Sequence, residues 1–420
     1  MTSIDKIISL CKQRGLIFPG SEIYGGLANS WDYGPLGVQL KKNIKDEWWK
    51  RFVERRSDMY GIDPAIIMNP KVWEASGHVA EFADPLVECK SCHGRFRKDQ
   101  IGDACPTCGK KEFTDAKQFN LLFKTFLGVT EDSSTTVYLR GELAQAMFVD
   151  YPAIVQTMRP SLPFGIAAQG KVFRNEITPG NFIFRTREFD LMEFEYFVKP
   201  EDWEKQFEYW RLEMQAWLKH LGVDLAHVHE VEIHDGERAH YSKRTIDFEY
   251  DYPFGQKELY GLAYRTDFDL KRHAEATGNN WGVLPHVIEP TFGIDRSLLV
   301  MLLEAYREED IEGETRVVLG LPKWAAPIQV AVLPLSKKEE LSKPARELAE
   351  TLRKHFRVDY DETQSIGKRY RRQDEIGTPY CVTFDFETIN DNKVTVRDRD
   401  TMKQDRIAIA ELYSYLNKLL

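Results

Sequence analysis

The sequence predicts an α+β protein in two parts: a large antiparallel sheet with helices packed on it, then a compact α/β module. Three observations carry that prediction. Apolar stripes at i, i+4 spacing are separated by strand-like segments rich in aromatic and β-branched residues. Those strands follow one another without regular βαβ alternation. A Pro-containing connector, LPKWAAP at 321–327, then precedes a stretch that does alternate. At 420 residues the chain exceeds one ordinary core. Its 42% apolar and 29% charged residues, with a mean hydropathy of −0.45, fit a globular protein and exclude a disordered or bilayer-embedded one.

Taken in order, MTSIDKIISLCKQRGL at the start mixes polar residues into its apolar spacing, which predicts an amphipathic helix and not a leader peptide. In residues 34–56, Leu36, Leu40, Ile44, Trp48 and Phe52 form one stripe on a long helix whose start is marked by Gly34 and Pro35. The same period predicts helices at about 201–221 and 295–308. KVFRNEI (171–177), NFIFRTREFDLMEFEYFV (181–198) and KELYGLAY (257–264) read as strands. Beyond the connector, 328–335 reads as a buried strand, 337–356 as a helix, and 357–360, 380–387 and 393–397 as strands.

Four of the six cysteines form two CxxC pairs, Cys89/Cys92 and Cys105/Cys108, each followed closely by a glycine. Four thiolates at this spacing suit tetrahedral zinc, and with every position filled by sulfur the metal would be structural. Four reduced thiols without metal, or His93 in place of one cysteine, are the alternatives. Cys11 and Cys381 lack sequence partners and read as buried thiols. So few cysteines point to a reducing compartment, the cytoplasm by default. A net charge of −9 means that a nucleic-acid partner must be met by a local basic surface.

Around the turn at Pro179 and Gly180, two strand-like arms carry Arg174, Arg185 and Arg187 together with Glu176, Glu188 and Glu193. Strand alternation would point Arg185 and Arg187 the same way, and a hairpin would bring Arg174 beside them. A phosphate-binding face and a hairpin of solvated ion pairs both satisfy this pattern. No GxxxxGK[ST] string occurs, which disfavours a P-loop enzyme.

FRNE, a turn and FRTREF resemble motif 2 of the class II aminoacyl-tRNA synthetases. GIDRSLL (293–299) resembles motif 3, and the helix at 34–56 resembles motif 1. ANSWDYGPLG, ASGHVAEFADP and GKRYRRQDEIGTPYCVTFDFET are similar to the dimeric glycyl-tRNA synthetases, with a likeness running from the first helix to the C terminus.

The resemblance implies a class II catalytic domain over 1–325, a zinc-binding insertion at about 86–115 and an anticodon-binding domain over 326–420. It implies a cytoplasmic homodimer that uses ATP and Mg²⁺ to form glycyl-adenylate and transfers glycine to the 3′ end of tRNA. Arg174 would contact the α-phosphate and the carboxylate and Arg296 the γ-phosphate, making these two and Glu176 the expected catalytic residues. Asn175, Phe184, Arg185, Thr186, Arg187, Glu188, Phe189, Glu258, Leu259, Gly293, Ile294 and Asp295 complete the expected ATP site, with Phe189 stacking on adenine. Glu142 and Glu193 would face the ammonium of glycine. Arg97, Phe189, Asp190, Leu191, Met192, Glu289, Pro290, Thr291, Phe292 and Gly293 would complete that pocket.

A pocket for the smallest amino acid rejects competitors by collision, so no editing site is expected. There are two departures. LRGELAQAM stands where the family usually reads RPETAQG, and Thr291 where it often has serine. In the C-terminal module, Lys368, Arg369, Tyr370, Arg371 and Arg372 combine phosphate contacts with a stacking ring suited to tRNA. The rival readings are a prolyl-, threonyl- or histidyl-type ligase and a catalytically silent RNA-binding paralogue; the complete phosphate-handling set argues against the latter.

Overall fold

A computed structural model describes residues 2–236, 238–239 and 241–420. Its centre is a seven-stranded sheet in the order Val228–Glu232, Arg244–Tyr252, Gly255–Thr266, His286–Gly293, Glu188–Val198, Phe164–Phe173, Met59–Ile62. All neighbours are antiparallel except the last pair. The predicted sheet class is therefore observed.

Alternation along the strands gives each face its own core. On one side Met192, Phe194 and Phe292 pack with Leu40, Ile44 and Trp48 of the helix Pro35–Trp49, Phe52 of the turn that follows it, Trp210 and Trp217 of the helix Trp203–His220, and Leu298 and Leu302 of the helix Ile294–Ala305. The rings of Phe194 and Trp210 are 4.6 Å apart. On the other side Leu191, Phe197 and Ile166 meet Met147, Phe148 and Leu270 from the helices Ala144–Met158 and Phe268–Thr277. The apolar stripe predicted for 34–56 faces the first core as expected. Gly37 has a steric reason: a Cβ there would stand 1.8 Å from the Leu16 carbonyl oxygen, so only glycine lets this helix seat against the end of the first one.

Three predicted elements change extent. The helix at 34–56 is α-helical to Trp49 and closes with a π-helical turn over Lys50–Glu54. The helix predicted to run to 308 stops at Ala305, because Tyr306–Ile311 leaves as a strand paired with Glu314–Leu319. The two arms of motif 2 are shorter than predicted, ending at Phe173 and resuming at Glu188. Between them, Asn181 and Phe182 adopt left-handed φ values of 56° and 59°. The Asn29 side-chain amide faces three carbonyl oxygens there, those of Gly180, Phe182 and Arg185. Backbone groups engaged this way are withdrawn from a ladder.

The insertion is a three-stranded sheet of Ala83–Glu88, Arg95–Arg97 and Lys117–Asn120. The C-terminal module is a five-stranded sheet ordered Val358–Tyr360, Val330–Pro334, Tyr380–Phe384, Lys393–Asp398, Gln404–Ala408. Its predicted strands are present. Its helix Ile366–Glu375 was not legible, because charged residues hide its apolar period.

At the junction, Asp374 is 1% exposed and receives both Arg316 Nε at 2.8 Å and Arg397 Nη1 at 2.9 Å. Arg316 comes from the hairpin of the body and Arg397 from the module. Asp374→Ala leaves two buried guanidiniums without their shared carboxylate, and a loss of about 3–5 kcal/mol is expected. Urea unfolding checks this, with exposed Glu340→Ala as a control expected to move by less than about 0.5 kcal/mol.

Candidate active site

The motif 2 loop, the strands 255–266 and 286–293 and the first turn of the helix 294–305 surround an open cleft with about 610 Å³ of empty space. Arg174, Glu176, Phe184, Arg185, Thr186, Phe189, Glu258, Leu259, Gly293 and Arg296 all line it. Three guanidiniums thus converge, each held by backbone or side-chain acceptors. Arg296 donates to the carbonyls of Phe184 (3.3 Å) and Glu258 (3.0 Å), lies 3.1 Å from the Glu258 carboxylate and sits 4.6 Å over the Phe184 ring. Arg174 donates to the Gly141 carbonyl (3.0 Å) and faces the rings of Phe82 and Phe189. Arg185 donates to Gln100 Oε1 at 3.0 Å.

Arg296 holds the Glu258 carboxyl below its ordinary range despite desolvation. Burial, with Arg296 and Arg97 nearby, pulls Arg185 down although Glu176 opposes this. Such a cationic wall is eased by an anion. Facing it, Oε2 of Glu176 is buried without a partner.

Several expected ATP-site residues lie elsewhere. Asn175, Arg187 and Glu188 line a second hollow beside residues 27–33. Arg187 reaches the Ala28 carbonyl, and Glu188 pairs with Lys171 at 2.5 Å on the surface. The expectation that Arg185 and Arg187 share a face fails because residues 185–187 are not strand, so period-2 alternation does not apply. Ile294 is packed in the core. Asp190 and Asp295 reach the cleft wall, but both carboxylates are engaged by Lys41 of the helix 35–49, at 2.7 and 2.9 Å. Asp295 also accepts the Asp190 backbone N–H (2.8 Å) and the Tyr33 hydroxyl.

Next to the cleft lies an acidic hole. The Thr291 hydroxyl is 2.9 Å from Glu193 Oε1 and 3.2 Å from Glu289 Oε1, and the Leu143 N–H donates to Glu193 Oε2 at 3.1 Å. Glu142 is 3.2 Å from His78 Nε2 and accepts from Gln145 at 3.0 Å. Leu191 and Gly293 belong to the cleft wall. Alternation carries the side chains of Met192 and Phe292 into the opposite core, and Pro290 faces the same way, so their expected place beside glycine is not observed. Arg97 is bound to Asp84 (2.9 Å) and Asp99 (2.7 Å) within the insertion, electrostatically near Glu176 and outside the acidic hole.

Sequence reasoning missed the groups that support this hole. Arg265 is fully buried, bonded to Asp269 (2.8 Å) and Glu289 (2.6 Å), with its guanidinium 3.6 Å from the Tyr241 ring centre. Gln145 links Glu142 to Asp269 at 2.8 Å and meets His273. Ser76 Oγ lies 2.8 Å from His78 Nδ1. Ser76 and His78 lie in ASGHVAEFADP and Gln145 in LRGELAQAM, strings already compared with the family, whereas Arg265, Asp269 and His273 carried no signal.

Burial would raise Glu142, but His78 and then Arg265 outweigh it and hold the carboxyl well below its ordinary range. Burial followed by Glu289 pushes Glu193 and Glu195 the other way, well above it. Among the described residues, neither oxygen of Glu195 has a hydrogen-bond partner.

In the insertion, Cys89 Sγ is 3.6 Å from Cys108 Sγ, and Cys92 Sγ is 3.6 Å from Cys105 Sγ. All four sulfurs fall within 4.8 Å of one another. A tetrahedron with metal–sulfur bonds of about 2.3 Å has edges of about 3.8 Å, so the cluster fits a metal. His93 instead contacts Glu88 at 3.1 Å. Cys11 and Cys381 are buried, and burial pushes the Cys11 thiol up to about 12.

The basic run of the module is corrected in part. Arg369 is 1% exposed and donates to the carbonyls of Pro334, Leu335 and Asp361. The Tyr370 hydroxyl is hydrogen-bonded to that of Thr383 and its ring faces Arg397, so Arg369 and Tyr370 both belong to the fold and not to an open stacking surface. Arg372 pairs with Asp361, Arg371 lies 3.9 Å from Glu314, and Lys368 is exposed. The cause is helical geometry: consecutive residues cannot share one face.

A family model described as the class II tRNA synthetase core domain (G, H, P, S and T) matches residues 131–306, and an anticodon-binding domain model matches 329–419. A glycine–tRNA ligase of Alkaliphilus oremlandii is 51% identical, covering 100% of this chain and 98% of its own length. One from Geobacillus thermodenitrificans is also 51% identical, covering 99% and 97%. Among solved structures, a prolyl-tRNA synthetase from Cryptosporidium parvum superposes with a TM-score of 0.67 at 17% identity, covering 99% of this chain and 75% of that one, a likeness of fold.

Because the folded state raises Glu195, its carboxyl favours folding below the ordinary carboxylate range and works against it as pH rises. Glu195→Gln removes that penalty. The variant is expected to be more stable than the parent at pH 8, by about 1–3 kcal/mol, with the gap closing towards pH 5 in thermal unfolding without ligands.

Proposed function

The chain belongs to the glycine–tRNA ligase family of class II synthetases, and from that premise we propose how its residues carry out the reaction. The chain activates glycine with ATP and transfers it to tRNA. One observation supports the site assignment above all: Arg174, Arg185 and Arg296 converge on one cleft whose wall continues into the Glu142, Glu193 and Glu289 hole.

Activation is attack of the glycine carboxylate on the α-phosphorus of ATP, with diphosphate leaving. The nucleophile is already ionised, so no general base is needed. Alignment and charge neutralisation are. Arg174, between the cleft and the Gly141 carbonyl, meets the α-phosphate and the carboxylate, and Arg296 at the helix start meets the γ-phosphate. Phe189 and the ring-backed Arg296 bracket the base. Glu176, with its partnerless oxygen, and Glu258 are the groups that would hold Mg²⁺, which when bound shields the phosphate oxygens.

Glu142, kept ionised by His78, receives the glycine ammonium together with Glu193 and Glu289. Thr291 adds a methyl to the floor where relatives often carry serine, so larger amino acids collide with it. The cysteine cluster holds a structural Zn²⁺. The module over 326–420 binds the anticodon arm, and Lys368, Arg371 and Arg372 are its basic contacts. The family-model matches at 131–306 and 329–419 support a division near 326. The helix 35–49 joins two copies into a homodimer, and the enzyme works in the cytoplasm.

Glycine should support ATP–pyrophosphate exchange, whereas proline, threonine and histidine should not. Arg174→Ala should lower exchange by at least about 10²-fold with an unchanged circular dichroism spectrum; near-normal exchange would remove Arg174 from the phosphate role. Metal analysis should find about one zinc per chain, and Cys105→Ser should lose it together with stability of the insertion.

A further inference from the structure

The acidic hole contains more carboxylate than one ammonium can neutralise. Glu142, Glu193, Glu195, Glu289 and Asp269 are buried around a single guanidinium, Arg265. Hydrogens are also short. The Thr291 hydroxyl has one, yet it lies within bonding distance of both Glu193 and Glu289, at 2.9 and 3.2 Å. That one hydrogen cannot fully serve both carboxylates. Glu195 is 0% exposed, both of its oxygens are unpartnered, and one of them lies within 4.8 Å of oxygens of both Glu193 and Glu289. Carboxylates this close and this buried do not all ionise together.

We propose that Glu193 and Glu195 together hold one proton in the ligand-free enzyme, and that the ammonium of glycine displaces it, so each glycine bound releases one proton to solvent. This rests on the assignment of Glu193 and Glu289 as partners of the ammonium. The exchange balances. Glycine keeps its three ammonium hydrogens, the carboxyl O–H breaks, the proton leaves to water, and the new carboxylate faces the incoming cation. Glu195 is a positioning residue that acts through Glu193.

The charged groups around Glu195 come from every neighbouring element. Glu193 is on its own strand, Glu289 on the adjacent one, Arg265 on the next, and Asp269 on the helix 268–277. Glu142, backed by His78, couples to Glu193 from the segment before the helix 144–158. Of these, only Arg265 is fixed as a cation. It is already divided between Asp269 and Glu289, and the buried Arg140, which couples to Glu193, is bonded to the carbonyls of Lys171 and Pro64, so among the described residues no ion pair reaches Glu193 or Glu195.

Calorimetric titration of glycine into the full chain, without ATP, in PIPES and in imidazole at pH 7 reads the protons exchanged from the difference in buffer heats. About one proton released per glycine is expected, with the apparent Kd falling by up to about tenfold per pH unit between pH 6 and 8. Glycine binding with no release overturns the proposal and leaves the ammonium assignment standing. Absence of glycine binding overturns the assignment itself. In Glu195→Gln, glycine should still bind while the release drops below half and the pH dependence flattens. Full release in that variant removes Glu195 from the role. If the variant does not fold, the parent titration decides alone.

Discussion

Arg265 makes the acidic hole possible. Burying an unpaired carboxylate costs several kcal/mol, and a cluster of them beneath a sheet would unfold the region without a fixed countercharge. A guanidinium with no exposure, bonded to Asp269 and Glu289 and covered by the Tyr241 ring, supplies it. Gln145 then carries the network to Glu142, and His78 holds Glu142 ionised. The site is thus built with graded charge: its neighbours hold Glu142 well below the ordinary carboxylate range, while burial pushes Glu193 and Glu195 above it.

The cleft depends on a second buried cation. Lys41 lies on the helix resembling motif 1 and binds Asp190 of the motif 2 strand and Asp295 of the motif 3 helix together. Phe189 and Arg296 are the chain neighbours of those two acids, so the cleft wall and its arginine are set by one ammonium group. Three sequence-distant elements therefore share a single reference point, consistent with the likeness of the chain to class II cores as a whole and not to one motif alone.

What could be read in the sequence was whatever repeats or whatever the family likeness fixes. The Leu40, Ile44, Trp48 stripe is periodic and the run at 188–198 is rich in aromatic residues, and a helix and a strand formed there, though each is shorter than expected. Arg185 and Arg187 were misread because Asn29, from a distant segment, draws the intervening carbonyls into a turn that no local pattern announces. Arg369 was misread because its charge suggested solvent, whereas it donates to the carbonyls of Pro334 and Leu335, and Tyr370 because its ring suggested stacking, whereas its hydroxyl is bonded to that of Thr383. Arg265 and Glu195 were invisible for a related reason. A buried ionic network is made by contacts such as the one between Arg265 and Glu289, 24 residues apart, and single-sequence spacing does not encode them.

The junction at Asp374 bears on how the two parts of the chain work together. A carboxylate that must serve Arg316 from the body and Arg397 from the module acts as a rivet and not a hinge. Swinging the module would carry Asp374 and Arg397 away together and take that carboxylate from the buried Arg316. An RNA that reaches from one part to the other therefore meets a caliper of set span, and its own length is what is gauged.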